Sequence, residues 1–173
     1  EGQNLSGRCL MFGAAVPSLT PGMMNPNLQI VQTKDHIMVL TEMIHDARII
    51  RINDNHLPFN IPQWMGDSVA SWEEDTLVVH SNNFRPEQSS SRTITISNEF
   101  ELTERYTLVS SDEILYEFTV VDNKAYEQPF SGQRILTRNR PEERVYEYAC
   151  HEGNYSLPGI LAGARRLESE NSN

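Results

Sequence analysis

Alternating apolar and polar positions run through the middle of the chain and predict strands. The clearest case is Thr76-Leu-Val-Val79, which follows the short polar run Glu73-Glu74-Asp75. Thr, Leu and Val suit a pleated, half-buried surface, so residues 67–84 are expected to form a β-hairpin. A second hairpin is expected over residues 37–52, and a third over residues 102–122. If His45-Asp46 is a two-residue turn between strands 37–44 and 47–52, cross-strand partners sum to 91 in number. Met38, Leu40, Glu42, Ile49 and Arg51 then share one face, and Val39, Thr41, Met43, Arg48, Ile50 and Ile52 share the other. A two-residue turn at Ser111-Asp112 would place Glu104, Tyr106, Leu108, Leu115, Glu117 and Thr119 on one side. Arg105, Thr107, Tyr116 and Phe118 would then face the opposite way.

Shorter strands are expected at 29–33, 92–97, 133–138 and 144–150. Residues 156–168 read as a helix, with Ser156 as N-cap, Pro158 in the first turn, and Leu157, Ile160, Leu161 and Ala164 along one side. Residues 1–28 carry Pro17, Pro21, Pro26 and four glycines without periodicity, which predicts an extended arm. Residues 53–66 form a polar loop containing His56, Phe59 and Trp64. Eight or nine antiparallel strands in up-and-down order, then one helix, predict a single all-β domain over residues 1–173. The expected architecture is a lipocalin-like (calycin-like) closed barrel, with a sandwich as the alternative. Such a barrel holds one small ligand inside.

Charge narrows the choice of partners. Lys and Arg number 14 against 24 Asp and Glu, a net charge of −10 with the acids spread along the chain. A field of that sign repels nucleic acid and anionic lipid. No apolar run approaches the ~20 residues of a membrane-spanning helix. The partner expected is therefore a small-molecule or carbohydrate ligand. Cys9 and Cys150 are either two separate buried thiols or a disulfide joining the arm to the last strand. A bridge would imply an oxidising compartment, and closing so long a loop could contribute ~5 kcal/mol.

Candidate chemistry comes next. None of His36, His45, His56, His80 and His151 stands in H-x-H or H-E-x-x-H spacing, so no metal and no other cofactor is expected. A metal site assembled by the fold from His45, His56 and His151 is the alternative. For His36 and His80 a structural role is preferred. His151-Glu152-Gly153-Asn154-Tyr155 sets an acid–base pair, an amide and a phenol between the last strand and the helix. It reads equally as a structural turn, with Gly153 at positive φ and Asn154 capping the helix. Glu42 and Glu104 lie on strand faces that also carry apolar residues, and a buried carboxylate suits acid–base work. Arg48 and Arg105 are alternative occupants of the interior. Trp64 would suit stacking on a sugar, whereas Trp72 reads as core.

The runs Glu42-Met-Ile-His45-Asp-Ala-Arg48-Ile-Ile, Trp72-Glu73-Glu74-Asp75-Thr-Leu-Val-Val, Glu104-Arg105 and Tyr146-Glu-Tyr-Ala-Cys150-His151-Glu152-Gly153-Asn154-Tyr155 carry a resemblance. From Cys9 to Arg165 the chain resembles a large group of secreted or periplasmic bacterial proteins without an established function. Their pattern reads W-E-G-D-T-L-V-V and A-C-H-E-G-N-Y. The resemblance implies export, a signal peptide removed before Glu1, and the Cys9–Cys150 disulfide. Glu74 replaces the usual turn glycine, and His80 replaces a usual acid.

The function expected is an exported, cofactor-independent enzyme doing acid–base chemistry on a small hydroxylated or carbohydrate-like substrate. It would be a lyase, hydrolase or isomerase. His151, Glu152 and Glu42 are the candidate catalytic groups, and Arg48, His56, Asn154 and Tyr155 the candidate substrate-binding ones. The alternatives are a non-catalytic calycin-like binding protein and a structural subunit.

Overall fold

A computed structural model of the chain describes residues 5, 9–11, 26–58, 61–87, 94–153 and 155–171. Eight strands form one sheet: β1 (Leu28–Gln32), β2 (His36–Thr41), β3 (Ala47–Ile52), β4 (Asp67–Glu73), β5 (Thr76–Asn82), β6 (Glu101–Ser110), β7 (Glu113–Val121) and β8 (Phe130–Thr137). They lie in sequence order and curl into a half-barrel. One α-helix among the described residues, α1 (Ser156–Asn171), follows. The curl brings the two ends of the sheet together at one corner, where Asn139 Nδ2, just past β8, donates to Asn27 Oδ1, just before β1, at 3.0 Å. No ladder joins β1 to β8 among the described residues.

The all-β class and the barrel-like curl match expectation, but two features of the predicted meander differ. First, β3 and β4 pair in parallel, with Ile50 opposite Ser68 and Ile52 opposite Ala70. A parallel step needs a long return rather than a tight turn, and residues 53–66 supply it. Second, residues 94–97 and 144–150 are not strands. Ile94 and Ile96 are buried with Phe84, Phe100, Leu102 and Val120, yet their segment takes its hydrogen bonds from side chains. Tyr126 Oη accepts from Thr95 N at 2.8 Å, and Asp122 accepts from Ser97 N at 2.7 Å. With its polar groups so satisfied, the segment needs no ladder. Residues 92 and 93, the start of that predicted strand, lie outside the described residues, as does most of the expected arm over residues 1–28.

Register decides which side chains meet. In β2–β3 the partners sum to 87 rather than 91, as with Ile37 opposite Ile50, because β2 stops at Thr41 and a 3₁₀ turn (Met43–His45) takes up the difference. A shift of four residues keeps parity, so the predicted faces survive. In β6–β7 the expected turn forms, with Ser110 opposite Glu113, but Val109 then bulges out of the ladder. Beyond the bulge Tyr106 faces Tyr116 and Glu104 faces Phe118. The one-residue slip turns β7 over. Tyr116 and Phe118 join Glu104 and Tyr106 on the inner face, while Glu117 lies on the outer face opposite Arg105 and Gln133.

The inner face buries Ile37, Val39, Ile50, Ala70, Leu77, Val79, Tyr106 and Tyr116 in one cluster. Trp72 shares that face with Leu77, but it sits beside the β4–β5 turn and is 45% exposed, so it is not the core residue expected. Gly66, at φ 68, lies where any Cβ would stand 2.4 Å from the Phe84 ring, which fixes a glycine at the entry to β4. Helix α1 runs three residues past the expected Glu168 and buries none of its side chains. Cys9 and Cys150 form a disulfide with Cα atoms 5.9 Å apart.

Two stability predictions follow from turns in the sheet. Glu74 holds φ 54 in the two-residue β4–β5 loop, a left-handed conformation that L-residues adopt at a cost. Glu74→Gly is expected to stabilise the fold by roughly 0.5–1 kcal/mol, after the glycine's extra unfolded-state freedom is subtracted, as read by denaturant unfolding. Asp46, between the 3₁₀ turn and β3, has its carboxyl pushed up from 3.8 to about 6 by burial, with His45 pulling it down. The folded state therefore holds this proton more tightly than the unfolded chain does. The stability it contributes is complete below 3.8 and is lost as pH rises through about 6. Asp46→Asn should flatten that part of the stability–pH curve.

Candidate functional site

Loop 53–66 does more than join parallel strands. Its residues 54–57 lie against the outer face of the sheet, where Arg51, Asp67, His80 and Glu101 project from β3, β4, β5 and β6. Asp67 is almost fully buried there and accepts from Arg51 Nη1 at 2.7 Å and from Leu57 N at 2.9 Å. Burial alone would raise its pKa, but the hydrogen bonds from Arg51, Leu57 and His56 win and hold the carboxyl below its usual range. Asp67 therefore remains an anion that only accepts. His56 Nδ1 stands 2.7 Å from Asp67 Oδ2, and His56 Nε2 stands 2.8 Å from His80 Nδ1.

The anion sets the tautomers along this chain. Nδ1–H of His56 donates to Asp67, which leaves the Nε2 lone pair of a neutral His56 to accept from Nδ1–H of His80. The remaining nitrogen, His80 Nε2, carries the free lone pair of a neutral ring and lies 3.7 Å from Glu101 Oε2. The His80 side chain is 38% exposed, whereas Asp67 is 2% exposed. The two hydrogen bonds form a continuous path from His80 Nδ1 through His56 to Asp67. Acidic groups, Asp67 and Glu101, flank the pair of imidazoles at its two ends.

The inner face carries a second polar group. Arg48, from β3, is 1% exposed and Glu104, from β6, is 0% exposed; they form an ion pair. Arg48 also donates to Ser68 Oγ at 2.9 Å and Ser81 Oγ at 2.6 Å. Tyr106 and Tyr116 each donate to Glu104 Oε1 at 2.9 Å. Burial opposes the Arg48 charge, and the adjacent Glu104 carboxylate more than offsets it, so the guanidinium stays protonated. Burial, followed by the Glu104 charge, pushes the Tyr116 phenol well above its usual range, so Tyr116 remains a donor.

The predicted site residues are spread over several places. Arg48 lies in this inner centre and His56 in the outer relay. Glu42 is 3% exposed at the corner of the sheet, where it accepts from Asn27 Nδ2 at 2.6 Å and from Tyr146 N at 3.1 Å. His151 and Glu152 are exposed in the turn after Cys150, and Tyr155 is 85% exposed. Asn154 lies outside the described residues. Arg105 is on the outer face, bonded to Glu73 at 2.9 Å. His45 is exposed on the 3₁₀ turn, and among the described residues no three His, Cys, Asp or Glu side chains are grouped to hold a metal ion. Asp67 and His80 complete the relay although neither was singled out for chemistry. The signal available for His80 was its position in β5, out of phase with the buried Leu77, Val79 and Ser81.

No protein-family model matches the chain, and no curated protein or solved structure matches it either.

The inner ion pair yields a direct test. Arg48→Ala strands the Glu104 carboxylate away from water and should destabilise the protein by about 3–5 kcal/mol. The double variant Arg48→Met with Glu104→Leu should recover only part of that loss, because it removes the stranded charge but also the acceptor of the Tyr106 and Tyr116 hydroxyls; denaturant unfolding of all three proteins measures it.

Proposed function

We propose that the protein is an exported acid–base enzyme acting on a small hydroxylated or carbohydrate-like substrate without a cofactor, with His80 as the group that exchanges the proton. One observation carries the proposal: a hydrogen-bonded chain from a buried carboxylate, Asp67, through His56 to the half-exposed His80. A surface histidine that only binds water needs no buried anion behind its partner. This arrangement orients the imidazole, fixes its tautomer and stabilises the cation formed when it acts as a base, which are the requirements of general acid–base catalysis. Glu101 flanks the same nitrogen and can assist in proton transfer. The Cys9–Cys150 bridge supports an oxidising compartment, and the −10 net charge favours neutral or cationic ligands at the outer surface. The strand order and curl support a calycin-like architecture, with the parallel β3–β4 step as its departure.

The assay is a panel of aryl esters, aryl glycosides and hydroxy-acid elimination substrates, run alongside carbethoxylation of the histidines followed by mass mapping. His80→Ala should lower turnover at least ~100-fold and Asp67→Asn should lower it less, with the His80 variant melting within a few degrees of the parent. His80 should react with the reagent faster than the exposed His36 and His45. Full activity in His80→Ala would sink the assignment. Loss of activity in His151→Ala instead would move the proton-transfer group to the turn after Cys150. Equal reactivity of all three histidines, with no turnover in the panel, would leave the relay as a clasp for loop 53–66.

A further inference from the structure

The sheet is open, and its two edges differ. At the first edge, β1 bonds to β2 through alternate residues. Glu42 N donates to Asn27 O at 3.0 Å and Thr33 N donates to His36 O at 2.8 Å, so the odd-numbered residues from 27 to 33 turn their backbone groups toward β2. By the same alternation Leu28, Ile30 and Gln32 turn N–H and C=O outward, away from the sheet. No described strand pairs with them there, since β1 ends the strand order. Gln29, Ile30, Val31 and Gln32 are all exposed, with Ile30 at 43% on the inner face and Val31 at 41% on the outer.

Open edges are ordinarily blunted by a charge, a proline or a bulge. The edge at β8 has such a device: Arg134 sits on the inner face opposite Tyr116, and Arg138 and Arg140 follow the strand. The edge at β1 has none. Residues 27–33 hold no charged side chain and no proline, and their ladder to β2 is regular from Leu28 to Gln32. Two copies of a chain with net charge −10 repel one another, and this uncharged edge adds nothing to that repulsion. The outward groups also complement themselves. A two-fold axis at Ile30 sets Ile30 against its own copy and Leu28 against the partner subunit's Gln32, so every outward N–H meets an outward C=O. Side chains then cross as Ile30 on Ile30 and Gln29 on Val31, which covers the two exposed apolar residues of the strand.

We propose that the chain forms a two-fold dimer through β1, paired antiparallel with Ile30 on the axis. The partner is a second copy rather than an unrelated peptide, because the edge matches itself in hydrogen bonding, in charge and in side chains. Pairing β1 with a second copy's β8 is the poorer arrangement: it is head-to-tail, it meets the arginine-bearing edge, and it leaves free edges at both ends of an open chain. Two strands of five residues bury less than the ~1,200 Å² of a lasting interface, so the dimer is a reversible one. The His80 relay projects from β5, well away from β1 in the strand order, and the contact leaves it uncovered.

Sedimentation velocity of the full chain, over a range of roughly 1 μM to 1 mM, reads the association. The average mass should rise from one chain toward two, with nothing larger. Ile30→Pro removes only an outward N–H, a change that edge strands accept, and should hold the protein as a monomer throughout with its melting temperature within a few degrees of the parent. Cysteine cross-linking reads the register without disturbing the edge. Cys9 and Cys150 are bridged, so an introduced cysteine is the one free thiol. In the proposed pairing the two copies of residue 30 have Cα atoms about 5.5 Å apart, within disulfide reach, and the two copies of residue 32 are roughly 14 Å apart. Copper–phenanthroline should therefore cross-link Ile30→Cys into a covalent dimer and leave Gln32→Cys monomeric. The proposal is overturned by a single-chain mass at every concentration, by masses beyond the dimer, or by folded Ile30→Pro associating as the parent does. It is equally overturned by Gln32→Cys cross-linking as fast as Ile30→Cys, and that pair decides alone should Ile30→Pro fail to fold.

Discussion

The ion pair between Arg48 and Glu104, with no access to water, is the constraint that the sheet is built around. Removing two such charges from solvent costs several kcal/mol for each ion, and hydrogen bonds between both and their partners must offset it. Those partners come one per strand: Ser68 from β4, Ser81 from β5, Tyr106 from β6 and Tyr116 from β7. Each strand must therefore sit in one register, because a two-residue slip would bring Ala70, Val79 or Ile114 into the place of Ser68, Ser81 or Tyr116. Apolar packing by Ile50, Val79 and Leu77 surrounds the pair and drives the collapse. Apolar packing alone tolerates slippage, and the polar centre does not.

That constraint also explains which parts of the fold were legible in the sequence. Strand positions could be read from alternation, since the buried set Leu77, Val79 and Ser81 and the buried set Leu102, Glu104 and Tyr106 follow period two. The faces of β2 and β3 were legible despite a wrong register, because the error was an even number of residues. The faces of β7 were not. One extra residue at Val109 inverted the strand, and nothing in Leu-Val-Ser marks a bulge. Tyr116 alternates with Leu115 and Glu117 whichever way the strand lies, and only the need to satisfy Glu104 selects the orientation. The parallel step between β3 and β4 was similarly hidden. A loop of that length is compatible with either direction, and its course is set by where Asp67 and His56 find partners.

The candidate site was less legible still, for a related reason. Arg48 and His56 could be named as polar residues in structured surroundings, but their partners lie 56 and 24 positions away in sequence. No spacing rule spans such gaps. His80 also replaces an acid in the pattern the chain resembles, and that argued against a role for it. The fold assigns it a partner all the same, because β5 presents position 80 outward at the height where His56 descends from the loop. The turn after Cys150 showed the opposite behaviour. His151-Glu152 has the composition of a site, yet both side chains stand exposed, without a hydrogen bond or ion pair among the described residues.

The two polar systems meet at the start of β4. Asp67 and Ser68 are consecutive, and in a strand consecutive side chains point to opposite faces. Asp67 is therefore the anchor of the outer relay and Ser68 a ligand of the inner arginine, joined by one peptide bond. This is also where the sheet changes from antiparallel to parallel pairing, with Ile50 opposite Ser68. A parallel ladder is the weaker kind per residue, and here it spans only three pairs. The side chains on either face reinforce it: Arg51 reaches from β3 to Asp67 on the outside, and Arg48 reaches from β3 to Ser68 on the inside. Two arginines three residues apart thus clamp the same weak seam from both faces. Any displacement of β4 against β3 must disturb the anion behind His56 and the guanidinium behind Glu104 together.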